Sequence, residues 1–129
     1  MNYPLLKITD LSIAFKNNAV VQNISFSLNK REVIALVGES GAGKSATALS
    51  ILGLLPPGGK TSGSIEFDST EILATPSKIL QSIRGQEIGM IFQEPMSALN
   101  PVFTVGHQIE ETLLSHKRMP RTKARSITF

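Results

Sequence analysis

Gly38-Glu39-Ser40-Gly41-Ala42-Gly43-Lys44-Ser45 follows directly on the unbroken apolar run Val33-Ile34-Ala35-Leu36-Val37 and precedes the helix-forming stretch Ala46-Thr47-Ala48-Leu49-Ser50-Ile51-Leu52. Strand, glycine-rich turn and helix in that order, with the spacing G-x-x-x-x-G-K-[ST], describe a phosphate-binding loop. Glycines at 38, 41 and 43 let the backbone turn successive N–H groups inward, forming a concave nest for phosphate oxygens. A helix beginning near Gly43 adds the positive end of its dipole, Lys44 reaches the β- and γ-phosphates, and the Ser45 hydroxyl is placed for Mg²⁺. The plain alternative, a glycine-rich turn with no ligand, is disfavoured by the flanking strand and helix.

The remaining pattern predicts an α/β protein that is β-rich first. Leu11, Ile13 and Phe15 alternate with Ser12 and Ala14, and Ile24, Phe26 and Leu28 alternate with Ser25 and Ser27. That is the period of half-buried antiparallel strands, joined here by a turn at Lys16-Asn17-Asn18. The run 33–37 lacks alternation, as a strand buried on both faces of a parallel sheet does. The helix after the loop is predicted to reach about Leu55, stopped by Pro56-Pro57-Gly58-Gly59. Further strands are predicted at 63–67 and 88–92, a helix over 76–84 with Ile79, Leu80 and Ile83 on one side, and a last amphipathic helix capped by Thr104 that ends near Lys117. Val105, Ile109, Leu113 and Leu114 share a face of that last helix. No internal repeat or low-complexity segment interrupts this order.

Composition narrows the chemistry. At 129 residues the chain is at most one domain, able to bury roughly two thirds of its unfolded surface if its core elements are all present. It has no cysteine, which removes disulfides, thiolate metal sites and thiol catalysis and fits a reducing cytoplasm. No apolar run approaches the ~20 residues of a membrane span, and the first residues lack the pattern of a signal peptide, so a soluble chain is expected. The net charge of +3 is uneven: Lys117, Arg118, Arg121, Lys123 and Arg125 crowd the end, and no acid follows Glu111. Such a tail suits nucleic acid or anionic lipid, or else is a solvated helix face or frayed end; no aromatic residue interleaves the charges to stack on bases. His107 and His116, nine residues apart, fall about 180° from one another on a helix and do not form a metal pair. Met90 and Met96 read as packing residues.

A second stretch, Met90-Ile91-Phe92-Gln93-Glu94-Pro95-Met96-Ser97-Ala98-Leu99-Asn100-Pro101, is more discriminating. Together with Gly38–Ser45, Gly53-Leu54-Leu55-Pro56, Gly63-Ser64-Ile65, Arg84-Gly85 and Val105-Gly106-His107-Gln108-Ile109, it makes the chain resemble the amino-terminal part of an ATP-binding subunit of an ABC transporter. Within that family the resemblance is to importers of oligopeptides, dipeptides, nickel and glutathione, and it covers about residues 4–118. It implies an ABC-type P-loop fold: an antiparallel β part over 1–32, a P-loop core with part of a parallel sheet over 33–92, and a Q-loop with an incomplete helical subdomain over 93–129.

The resemblance also implies roles. Gly38, Glu39, Ser40, Gly41, Ala42, Gly43, Lys44, Ser45 and Ala46 would hold the ATP phosphates, with Ser45 and Gln93 on Mg²⁺. Gln93 matches the Q-loop glutamine, which helps hold Mg²⁺ and the attacking water and begins the segment that faces the membrane permease. Phe15 matches the aromatic position that stacks on adenine, but also fits a core residue beside Leu11 and Ile13, and both readings stand. Glu94 is assigned no catalytic role. Permease subunits and a second ATP-binding subunit are the implied partners, at the inner face of the cell membrane without insertion into it, and no nucleic acid is implied.

The catalytic set is incomplete. Phosphoryl transfer of this kind needs a residue that orients the water and a carboxylate anchor for Mg²⁺. The family takes these from a Walker B Asp and the Glu after it, with a Leu-Ser-Gly-Gly-Gln-type signature and a switch histidine besides. None occurs here, and no Asp follows Asp68. Lys44 and Gln93 contribute to catalysis without completing it. The expectation is a carboxy-terminally truncated, marginally stable subunit that binds nucleotide weakly without significant turnover. A partial gene product with no function, and a regulatory module that binds a permease or a complete ATPase subunit, are the alternatives. A small P-loop kinase is more remote, since no acceptor site or lid is legible.

Overall fold

The computed structural model describes residues 3–94 and 98–129, which form two compact units divided between Gln81 and Ser82. In the first, the alternating segments form the expected hairpin: β1 (Leu6–Phe15) pairs antiparallel with β2 (Asn18–Leu28). Lys16 and Asn17 form its two-residue loop, with Lys16 at φ 56°. β3 (Gly59–Phe67) pairs with the other edge of β1 and turns through Asp68-Ser69, both at positive φ, into the short β4 (Thr70–Glu71). Two positive φ values in a two-residue loop match the right-handed twist of the strands they join. The sheet order is β2-β1-β3-β4.

A bulge in the middle of β1 decides which side chains are inside. Leu6, Ile8, Leu11 and Ile13 are all buried, although a uniform period of two would put the second pair on the opposite face from the first. The register shifts between Ile8 and Leu11 against β2 and between Thr9 and Ser12 against β3, with Asp10 at φ 49°. This extra residue returns Leu11 and Ile13 to the buried side. Hydroxyls replace the interrupted ladder: the Asp10 N–H donates to Ser25 Oγ at 2.8 Å, and the Asn23 N–H donates to Ser12 Oγ at 2.9 Å. On β3 the bulge meets Gly63, where a Cβ would lie 2.5 Å from the Asp10 carbonyl oxygen. Only glycine fits there.

Ile65, Phe67 and Ile72 complete the sheet's part of the core with Val21, and Leu52 and Leu80 complete the helical part. Burying one such side chain contributes about 1.5–3 kcal/mol. α1 (Lys44–Ile51) supplies the buried polar residues Thr47 and Ser50, whose hydroxyls donate to the carbonyls of Gly43 and Thr47. The helix ends four residues before the predicted Leu55. Gly53, at φ 61°, donates to the Ser50 carbonyl while Leu54 donates to that of Leu49, a glycine cap that ends the helix before Pro56 is reached.

Glu71 ties β4 to β3. Its carboxylate accepts from Ser64 Oγ at 2.5 Å and from the N–H groups of Leu73 and Ile65 at 2.9 and 3.2 Å. Partial desolvation raises its pKa, but these three donors outweigh it and leave the carboxyl below its ordinary value.

Two predicted strands are corrected. Segments 33–37 and 88–92 form no strand; apart from an isolated bridge between Arg84 and Ile88, neither is paired. Val33 is 94 % exposed, Val37 91 % and Ile91 92 %. An apolar run becomes a strand only when neighbours complete its hydrogen-bond ladder, and among the described residues none does so. The predicted strand at 63–67 begins earlier, at Gly59.

α2 (Ser77–Ile83) follows Pro76 as predicted and buries Leu80, while Ile79 stays half exposed. In the second unit, α3 (Val105–His116) is capped by Thr104, whose hydroxyl accepts from the His107 N–H at 3.3 Å. Leu113 and Leu114 are half-buried, but Val105 and Ile109 on the same face remain exposed. The basic tail forms a further helix, α4 (Arg121–Thr128). Ala124 is its buried residue, and Lys123 and Arg125 are exposed, as on a solvated helix face. No helix of the described residues is long and apolar enough to cross a membrane.

Candidate functional site

The loop at 38–45 is built by two elements of the first unit. Gly43 is the N-cap of α1 at φ 82°, a left-handed conformation that favours glycine, and its carbonyl accepts from the Thr47 N–H at 2.8 Å. Packing sets the same requirement: a Cβ on Gly43 would overlap Val21 Cγ2 and lie 2.9 Å from the Val20 carbonyl oxygen. The loop is thereby seated against β2. Gly41 is also left-handed, at φ 83°, and the Ala42 N–H closes a turn on the Glu39 carbonyl at 3.2 Å.

Lys44 folds back over this turn. Its ammonium donates to the carbonyl oxygens of Gly38 at 2.6 Å and Glu39 at 2.7 Å, fixing the cation at the mouth of the loop. No side chain caps α1 and no acid sits in its first turn, so the positive end of the helix dipole is not neutralised. Bent loop, helix terminus and lysine give one small exposed region a consistent preference for an anion with several oxygens.

Ser45 is exposed in the first turn of α1 and Ala46 follows it, half-buried. Among the described residues no group of three or more His, Cys, Asp or Glu side chains could hold a metal ion. Mg²⁺ commonly enters such sites with the phosphates and takes few ligands from protein, and one exposed hydroxyl beside the loop fits that mode.

Phe15 lies on the hairpin whose second strand touches the loop. It is half-buried at the end of β1, between Asn18 of β2 and Gly59 of β3. Ile13 pairs with Val21, the residue that meets Gly43, so Phe15 stands roughly 7 Å further along the strand. The loop residues 38–46 and Phe15 thus belong to the same unit, linked through β2. Gln93 is not among them: it is an exposed residue of the second unit. Pro95, Met96 and Ser97 of the motif that contains it lie outside the described residues.

His107 is exposed and sits against the Phe103 ring, centroids 5.1 Å apart. His116 is half-buried over Gly85, and its carbonyl accepts from Gln86 Nε2 at 2.6 Å, so it serves packing within the second unit. A cavity of about 520 Å³ lined by Tyr3, Lys7, Phe26 and Glu66 holds no residue of the phosphate loop. Sequence reasoning missed Gly59 as a neighbour of Phe15, having taken Pro56-Pro57-Gly58-Gly59 as a helix stop. The only available signal was its register opposite Phe15, which needed the pairing of β1 with β3.

Comparison with known proteins identifies the family and the fold. The profile of the ABC transporter family matches residues 21–127. The peptidoglycan transport ATP-binding protein of Agrobacterium fabrum is 47 % identical over 98 % of the chain, which spans 24 % of that relative. The dipeptide transport ATP-binding protein of Bacillus subtilis is 45 % identical over 94 % of the chain and 38 % of its own length. The oligopeptide transport ATP-binding protein of Mycobacterium tuberculosis is 43 % identical over 94 % and 20 % respectively. The chain therefore spans between a fifth and two fifths of these relatives. Its fold matches that of a dimeric ATP-binding cassette solved in a post-hydrolysis state with ADP and phosphate, with a TM-score of 0.80 at 23 % identity over 95 % of this chain and 53 % of that one.

Proposed function

The chain belongs to the ABC transporter family, and on that premise we propose that it is the phosphate-binding portion of an ATP-binding subunit serving uptake of peptides or similar small solutes. The observation that carries this is the Gly38–Ser45 loop, with Gly43 left-handed at the head of α1 and the Lys44 ammonium on the loop carbonyls. Peptide-type cargo is supported by the relatives' identities of 43–47 %, two of which are named for oligopeptide and dipeptide transport.

In this reading the loop N–H groups and Lys44 take the β- and γ-phosphates of ATP, and Phe15 lies beneath the base. Ser45, and Gln93 from the Q-loop, take Mg²⁺, which neutralises charge on the transferring phosphoryl group when bound. Glu39, Ser40, Ala42 and Ala46 shape the loop, and residues 1–129 are part of one ABC ATP-binding domain. The partners are permease subunits and a second ATP-binding subunit at the inner face of the membrane. The 129 residues contain no Walker B carboxylate or signature motif, so by themselves they bind nucleotide weakly, without significant turnover.

The test is equilibrium dialysis of labelled ATP with Mg²⁺, alongside phosphate release by protein freed of host ATPases. Saturable ATP binding without steady release is expected. Absence of saturable binding overturns the nucleotide reading; steady release that Lys44→Ala abolishes overturns the absence of turnover.

A further inference from the structure

Phe15 and Gly59 face each other across the β1–β3 ladder, and the aromatic ring lies over the glycine. A Cβ on Gly59 would come within 2.9 Å of Phe15 Cε1, 3.2 Å of the Pro56 carbonyl oxygen and 3.3 Å of Leu55 Cβ. An aromatic ring laid across a cross-strand glycine shields its backbone, while the glycine gives the ring a seat with no side chain in it. Gly59 does not have a left-handed φ, so its own backbone does not explain why glycine stands there. Its N–H donates to the Pro56 carbonyl at 3.0 Å, which holds the seat in place.

We infer that Gly59 is a positioning residue for the nucleobase: by accepting the Phe15 ring against its bare Cα, it sets the plane on which an adenine stacks. The inference rests on the nucleotide reading of Phe15 proposed above. The distances say how a side chain at 59 acts. The tightest clash is with the far edge of a ring that swings on two torsions, whereas the other two contacts give by tenths of an ångström. Alanine at 59 therefore moves the ring and leaves the sheet standing. The phosphate loop is seated separately, through Gly43 against Val20 and Val21, so its grip is untouched.

The experiment measures dissociation constants for MgATP and for magnesium tripolyphosphate, which has no base. It compares the 129-residue chain with Gly59→Ala, Phe15→Ala and the double variant, each checked for fold by circular dichroism. Gly59→Ala is expected to weaken MgATP roughly five-fold, the lower end of a base–aromatic stack, and to leave tripolyphosphate unchanged. In the Phe15→Ala background the same change should have no effect, which separates positioning from general structural damage. If Phe15→Ala weakens MgATP selectively but Gly59→Ala does not, the positioning role is overturned and stacking by Phe15 stands. If Gly59→Ala weakens both ligands alike, or acts equally with and without Phe15, the role is also overturned. If Phe15→Ala leaves MgATP binding unchanged, the base-stacking reading fails and the inference with it.

Discussion

The Lys44 ammonium donates to the carbonyl oxygen of Gly38, six residues earlier in the chain, at 2.6 Å. The lysine therefore does two things that are separable by experiment. It ties down the loop from which it projects, and in the proposed function it holds a cation where phosphate oxygens enter. Hydrogen bonds to charged groups contribute about 1.5–3 kcal/mol, and the phosphate contact belongs to that class.

Lys44→Ala is accordingly expected to weaken MgATP binding at least about ten-fold, by isothermal titration calorimetry, with the circular dichroism spectrum unchanged. Lys44→Arg should recover only part of this, because the planar guanidinium cannot occupy the same point. Equal affinity in wild type and Lys44→Ala would remove the lysine from the site.

Gly43 and Gly58 form a controlled pair. Both have positive φ, 82° and 87°, but a Cβ at Gly43 runs into Val21 and Val20, whereas at Gly58 it meets nothing within 4 Å. Gly58→Ala should cost about 1 kcal/mol, the left-handed penalty alone. Gly43→Ala should cost about 2–4 kcal/mol, adding overpacking against β2. Urea midpoints measure both; equal losses would mean that the packing against β2 is unimportant.

Glu71 predicts a pH dependence. Its carboxyl lies below the ordinary value of 4.5 in the folded chain, so the unfolded chain binds the proton more readily. The stabilisation is complete above the unfolded value and is lost as pH falls through the folded one. Thermal midpoints of wild type and Glu71→Gln should differ by a constant amount above about pH 5.5, and the difference should shrink as pH drops below the ordinary glutamate range. A difference that grows on acidification would reverse the assignment.

Burial separates two segments that the sequence alone predicts as strands. Leu11 is fully buried and Leu11→Ala should cost about 2–5 kcal/mol. Val33 is 94 % exposed, and Val33→Ala should fall within about 0.5 kcal/mol of wild type. Chemical denaturation of the two variants checks this, and a large loss at Val33 would show that 33–37 is paired in solution.

Gln108 organises the segment that leads into α3. Its amide accepts from the Asn100 N–H at 2.9 Å and donates to the carbonyls of Asn100 and Phe103, each at 3.0 Å. Gln108→Ala should speed hydrogen exchange at the Asn100 amide about ten-fold while the amides in the middle of α3 keep their protection. Unchanged exchange at Asn100 would mean that the segment holds itself.

The elements readable from the chain alone are those whose cause is local. The turn at 38–45 is legible because its glycines and lysine act locally: Gly41 and Gly43 take left-handed φ, and Lys44 reaches back to the Gly38 and Glu39 carbonyls. The β1–β2 hairpin is legible from alternation on either side of a short polar turn, and the start of α3 from the Thr104 hydroxyl three residues before the N–H that it accepts. The tertiary structure decided whatever depends on a distant partner. The run 33–37 has a buried strand's composition, yet it lies open because a strand exists only when another completes its ladder. The bulge at Asp10 puts Leu6, Ile8, Leu11 and Ile13 in one core, and it depends on Gly63, far along the chain on β3, for room. The seat of Phe15 on Gly59 is of the same kind: each residue by itself is an ordinary strand aromatic or turn glycine, and their register makes them a pair.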